Sequence, residues 1–165
     1  MTLARKLKAL LSMDRAAIRL LAEAYWYLAW GRVLMHLPFA RIAPTLGRHM
    51  EETPSAPLGD RARERTVRDV AFAIRLASRY TLWKSQCLVR ALAGLKMLER
   101  RGIASTLYLG TGRDEAGKLA AHAWLRCGSY YLTGAEEMAR FRVVGTFANP
   151  GRSIKPRRRS MQRET

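Results

Sequence analysis

Apolar residues recur with two different periods along this chain, and the change of period divides it. In the first part, Ile18, Leu21, Ala22, Tyr25, Leu28 and Ala29 fall at helical spacing. Ser12 can cap this helix, and the Asp14 carboxylate suits its positive end. Arg15, Arg19 and Glu23 fall four apart on another face, so Arg19 and Glu23 can pair. Pro38 ends the helix or begins the next one, and residues 39–46 read as a short helix or turn. E-E-T-P-S-A-P-L-G is a loop by composition. A second long helix runs from about Asp60 to Tyr80, with Val67, Val70, Ala71, Ile74 and Ala77 as its apolar stripe. A third helix, which Ser85 can cap, carries Cys87 in its first turn and points Leu88, Leu92, Leu95, Met97 and Leu98 inward. Arg100 and Arg101 favour its C-terminal end, and Gly102 is placed to close it.

After Gly102 the period becomes two. S-T-L-Y-L-G-T-G alternates and then turns, R-D-E-A-G-K is a solvent loop, and L-A-A-H-A-W-L-R-C is the next strand. G-S makes a tight turn into Y-Y-L-T, and F-R-V-V-G-T-F is a last strand. Helices first and an antiparallel sheet second predict an α+β domain. The expected organisation is one domain over residues 1–148 and a basic disordered tail over 149–165.

Composition narrows the function classes. The chain has 165 residues, 48% of them hydrophobic, which suits one domain with a core. Two cysteines do not make a disulfide framework, and no apolar signal core follows M-T-L-A-R-K-L-K. Residues 16–37 are apolar but are interrupted by Arg19, Glu23, Arg32 and His36, so they fall short of the ~20 apolar residues a membrane span needs. A reducing, cytoplasmic location is expected. The net charge is +17, scattered except in the tail, where Arg152, Lys155, Arg157, Arg158, Arg159 and Arg163 face one acid, Glu164. That charge attracts nucleic acid or anionic surfaces without specifying a site. It makes a basic nucleic-acid-binding or scaffold protein the non-enzyme alternative, with weak association with anionic surfaces as a minor one. No recognised nucleic-acid motif accompanies it.

The candidate chemistry lies in Cys87 and His122. Free thiols have a pKa near ~8.5 and attack as thiolates, so a nucleophilic cysteine needs help at neutral pH. A helix N-terminus supplies partial positive charge and an imidazole supplies the base. This is how a Cys–His acyl-transfer site on a papain- or transglutaminase-like core would be built. Unpaired N–H groups in the first turn of the helix can hold the oxyanion, with the Gln86 amide as a second donor. Trp124 shares the strand face of His122 and is a candidate substrate contact. Cys127 falls on the opposite face and reads as structural. Zinc fits poorly, because Cys87, Cys127 and His122 have no paired ligand spacing; neither metal nor cofactor is expected. A third member should orient the imidazole. No Asp follows His122, so Glu136 is favoured over Glu137, Asp114 and Asn149.

W-K-S-Q-C-L-V-R-A-L-A-G-L-K-M-L-E-R-R-G-I, then L-Y-L-G-T-G, A-H-A-W-L-R and Y-L-T-G, together resemble the leader peptidases of lasso peptide biosynthesis. These are the B proteins of the transglutaminase-like cysteine protease superfamily. The resemblance covers about Ser12 to Phe147. It implies a cysteine endopeptidase that cuts the leader from a ribosomally made precursor before a partner macrolactam synthetase closes the ring. Cys87 matches the family nucleophile, His122 its base, and Gln86 the residue before the cysteine. The family acid falls near residues 133–134, where this chain has none. Many members carry a winged-helix domain that grips the leader. Here the first 50 residues match the peptidase's own helices, so a separate small leader-recognition protein is expected as a partner. Exposed aromatics between Tyr25 and Trp30, or the basic surface, are the expected docking site. An acyltransferase on the same fold is the enzyme alternative.

Overall fold

The change of period falls where helices give way to strands. The computed structural model describes residues 14–82, 86–114 and 116–151. Helix α1 (Arg15–Leu34) is followed by the short α2 (Phe39–Ile42), a 3-10 turn (Ala43–Thr45) and a two-residue strand β1 (Arg48–His49). Then come α3 (Arg61–Ser78) and α4 (Cys87–Arg100). The sheet follows, with β2 (Ser105–Arg113), β3 (Leu119–Cys127), β4 (Tyr130–Thr133), a 3-10 segment (Ala135–Arg140) and β5 (Phe141–Asn149). All pairings are antiparallel, in the order β1-β5-β2-β3-β4. The α+β architecture predicted from the two periods is therefore the one observed.

The helix ends follow from local chemistry. Asp60 caps α3 by accepting from the Ala62 N–H at 2.8 Å. Asp14 precedes α1 but makes no side-chain cap bond; Ser12 and Ser85, the other expected caps, lie outside the described residues. Gly102 ends α4 at φ 66°, in the left-handed region where glycine alone is unstrained. The stripes expected for α3 and for most of α4 are buried as written, with Leu88 half-buried.

The stripe expected for α1 is not the buried one. Ile18 is 38% exposed and Tyr25 39%, while Ala24, Leu28 and Gly31 are sealed, flanked by the partly buried Leu21, Tyr27 and Leu34. This helix is apolar on several faces, so helical spacing alone fits more than one stripe, and packing against α3 and α4 selects the face. Glu23 is likewise drawn away from Arg19. Its carboxylate accepts from both terminal nitrogens' hydrogens side by side, at Arg101 Nη1 (3.1 Å) and Nη2 (2.7 Å). The guanidinium thereby ties the end of α4 to α1.

Helix α4 packs on the sheet through Gly94, where a Cβ would come within 2.7 and 2.8 Å of methyls on Leu132 and Leu125. The opposite face of the sheet carries a polar brace. Arg126, 4% exposed, donates to Tyr108 Oη, to the Glu52 carboxylate and to the carbonyls of Thr53 and Gly128. The loop read from E-E-T-P is thus irregular but pinned, with Thr53 also bonded to Thr106. Buried charge needs such full pairing to be tolerated. Strand β1 had no sequence signal, since two residues show no period. Asn149, assigned to a tail, instead ends β5: it is 6% exposed, pairs with Ser105 and accepts from the Gly151 N–H.

Candidate active site

Cys87 is the first residue of α4, with Gln86 as its N-cap position. The thiol is half-buried and free. Its place gives it the unpaired N–H groups and positive end of a fourteen-residue helix. His122 sits on β3 opposite Gly110 of β2 and is 7% exposed. Both side chains line one open cavity of about 1000 Å³, with Gln86, Leu88, Arg90, Glu137 and Phe141 among its other walls. Among the described residues no hydrogen bond joins thiol and imidazole; such bonds are commonly loose in substrate-free sites and tighten on binding.

The imidazole is held by its other nitrogen. Nε2 lies 2.8 Å from the carbonyl oxygen of Gly134. A carbonyl can only accept, so Nε2 carries the hydrogen, and the neutral ring keeps its lone pair on Nδ1. That is the tautomer a base toward a thiol requires. Gly134 is fitted for the contact. It is at φ 75°, and a Cβ there would meet Ala123 O at 2.6 Å and His122 Nε2 at 3.1 Å. The neighbouring Thr133 hydroxyl is buried without a partner among the described residues. A backbone carbonyl therefore stands where the resemblance expected an acid.

Glu136, the acid favoured from the sequence, lies exposed on the 3-10 segment and makes no contact with the ring among the described residues. The acid nearest the ring is Glu137, whose carboxylate comes 3.9 Å from Nδ1 and is itself 61% exposed. Asp114 accepts from the N–H groups of Ala116 and Lys118 in its own loop, and Asn149 lies at the Ser105 end of the sheet. The side chains of the 3-10 segment alternate too irregularly for sequence spacing to choose between Glu136 and Glu137.

Two rings flank the imidazole. Trp124 stacks on it at 5.8 Å between centroids, and Phe141 at 4.9 Å with planes 24° apart. Trp124 also stacks on Tyr108 at 5.5 Å and is 4% exposed. It braces the imidazole and is absent from the cavity wall, so the cavity does not present it as a substrate contact. Phe141 was missed because it reaches His122 only through the pairing of β5 with β2. The signal that could have found it is Gly110 and Gly112. A Cβ on Gly110 would meet Trp124 at 2.8 Å and Phe141 at 3.0 Å. Bare backbone in the middle of the strand leaves room for both rings.

Cys127 lies in the core among Ala123 and Leu125, on the face away from His122. Burial pushes its thiol up to about 11, against a smaller lowering by Arg126. It is the opposite of an activated nucleophile. Among the described residues no group of three or more His, Cys, Asp or Glu is placed to hold a metal ion, and no helix is long and apolar enough to cross a membrane.

A helix opened by a cysteine packs here on an antiparallel sheet and shares a cavity with a strand-borne histidine. The chain belongs to the transglutaminase-like superfamily, whose sequence profile matches residues 33–146. That superfamily includes cysteine proteases and acyltransferases. Neither the curated proteins nor the solved structures gave a match.

Proposed function

We propose that this protein is a cysteine endopeptidase that removes the leader from a lasso precursor peptide before a partner synthetase closes the macrolactam. The observation that carries the peptidase reading is the shared cavity of Cys87 and His122, with the ring tautomer fixed so that Nδ1 is free. In the first step Nδ1 takes the thiol proton while Sγ attacks the scissile carbonyl. The N–H groups at the start of α4, with Gln86, hold the oxyanion. The imidazolium then gives its proton to the leaving amine, and water releases the acyl-enzyme. The open cavity of about 1000 Å³ supports a peptide substrate.

The lasso assignment rests on the sequence resemblance, and so do its partners, a separate leader-recognition protein and a macrolactam synthetase. The aromatic surface of α1 supports a docked partner, since Trp26 is 70% and Val33 65% exposed. The test is incubation with a co-encoded precursor peptide, a co-encoded winged-helix protein being supplied or withheld, and product masses read. Leader release by water, faster with the added protein and lost in Cys87→Ala at unchanged melting temperature, is expected. An amine adduct instead of hydrolysis would make the protein an acyltransferase. Full cleavage by the alanine variant would remove the thiol mechanism.

A further inference from the structure

Arg90 follows Cys87 by three residues on α4, so the two side chains share a helix face about one turn apart. Arg90 lines the same cavity as the thiol. Its Nε is sealed from solvent and has no hydrogen-bond partner among the described residues. A guanidinium has five N–H donors, no acceptor, and a charge it does not shed. A buried donor left unmatched is rare and calls for a particular reason.

The cavity's own carboxylates do not supply the match. Asp114 accepts from backbone N–H groups of its loop, and Glu137 turns toward His122. The other half-buried or buried arginines with a structural duty are visibly paired: Arg101 with Glu23 and Arg126 with Glu52. Among the described residues Arg90 makes no such pair. It stands beside the thiol in a wall otherwise rich in apolar side chains, where a charge-assisted pair is stronger than on open surface.

We propose that Arg90 is the docking point for a carboxylate of the substrate, held one helical turn from Cys87. The inference rests on Cys87 being the nucleophile. An acidic side chain beside the scissile bond and a free terminal carboxylate present the same planar pair of oxygens to the guanidinium fork.

Alkylation of Cys87 tests this without knowledge of the natural substrate. Iodoacetate and iodoacetamide are similar in size and differ in charge; with either, the thiolate sulfur displaces iodide. Rates are read by mass on the Cys87 peptide. The iodoacetate-to-iodoacetamide ratio of the parent should exceed that of Arg90→Gln by about tenfold, the scale of one charge-assisted hydrogen bond, with Arg90→Lys between them. Protection of the parent decides the matter even if Arg90→Gln does not fold. A short C-terminally amidated peptide with one Glu should slow iodoacetamide labelling more than its Gln counterpart. The Gln peptide with a free C-terminus tests the other source of carboxylate. Rapid labelling with an unchanged ratio in folded Arg90→Gln, or equal protection by all three peptides, overturns the Arg90 assignment alone. A Cys87 that neither reagent labels sinks the nucleophile reading and this one with it.

Discussion

At the scale of single residues, the site turns on how one imidazole is held. A neutral carbonyl at Gly134 fixes the ring without adding charge, so the side-chain acids nearby should matter little. Glu136→Gln and Glu137→Gln are each expected to keep kcat/KM on a cleaved precursor within a few-fold of the parent. Gly134→Ala should do far more harm. Its methyl would enter the space of Nε2 and of the Ala123 carbonyl, and misplacement of a reacting group by ~1 Å can cost about 100-fold. Steady-state kinetics on the three variants, with melting curves to check folding, separates the cases. Phe141→Ala removes one of the two rings on His122. Such a ring pair contributes about 0.5–1.5 kcal/mol beyond burial, so a drop of up to about tenfold is expected, with Phe141→Tyr close to the parent.

These residues also mark the limit of what the sequence could disclose. The places of Cys87 on a helix start and of His122 on a strand were legible, because helical spacing and strand alternation are local signals. The orienting partner was not, since any residue's carbonyl can serve and only the left-handed turn at Gly134 aims this one. Phe141 depends on which strands come together, which periodicity does not encode.

At the scale of elements, α1 shows the same limit. Its apolar residues surround much of the helix, so the buried stripe was chosen by α3 and α4. The clasp from Arg101 to Glu23 helps to set that choice. It is a two-pronged pair with side chains 26% and 18% exposed, and its loss leaves the partly buried Glu23 with only the looser contact to Arg100 at 3.8 Å. Arg101→Met should lower stability by roughly 1–3 kcal/mol, read by urea unfolding at neutral pH. Arg101→Lys should recover only part, because an ammonium does not make the paired contact. By contrast, breaking the exposed pair of Arg48 with Glu51, at 66% and 50%, should change stability by less than about 1 kcal/mol.

At the scale of the whole molecule, two neutral acids buried on opposite faces of the sheet bias its behaviour in alkali. Burial pushes the Cys127 thiol from 9.0 up to about 11. Burial, reinforced by the hydrogen bond to Glu52, pushes the Tyr108 hydroxyl from 10.0 up to about 12. Both folded values lie above the unfolded ones. Their contribution is therefore complete below the unfolded values and is lost as pH rises through the folded ones. Denaturation midpoints should fall from about pH 9 to 11 for the thiol, and Cys127→Ala should flatten that part of the curve. A gap of this size corresponds to roughly 2–3 kcal/mol. An unchanged alkaline limb in the alanine variant would contradict the assignment.

Strand β5 is the last strand in the chain but stands second in the sheet, between β1 and β2. A ribosome delivers it after every other element described. Helices α1, α3 and α4 precede it in the chain and pack on one another, so their contacts need no later strand. The thiol end of the site can thus exist early. The imidazole end is finished last, because Phe141 joins the ring only when β5 docks and spans from Asn149 back to the Gly112 register. A nascent chain stalled before residue 141 would carry Cys87 and His122 with one face of the ring uncovered, so translation completes the site from its thiol end to its imidazole end.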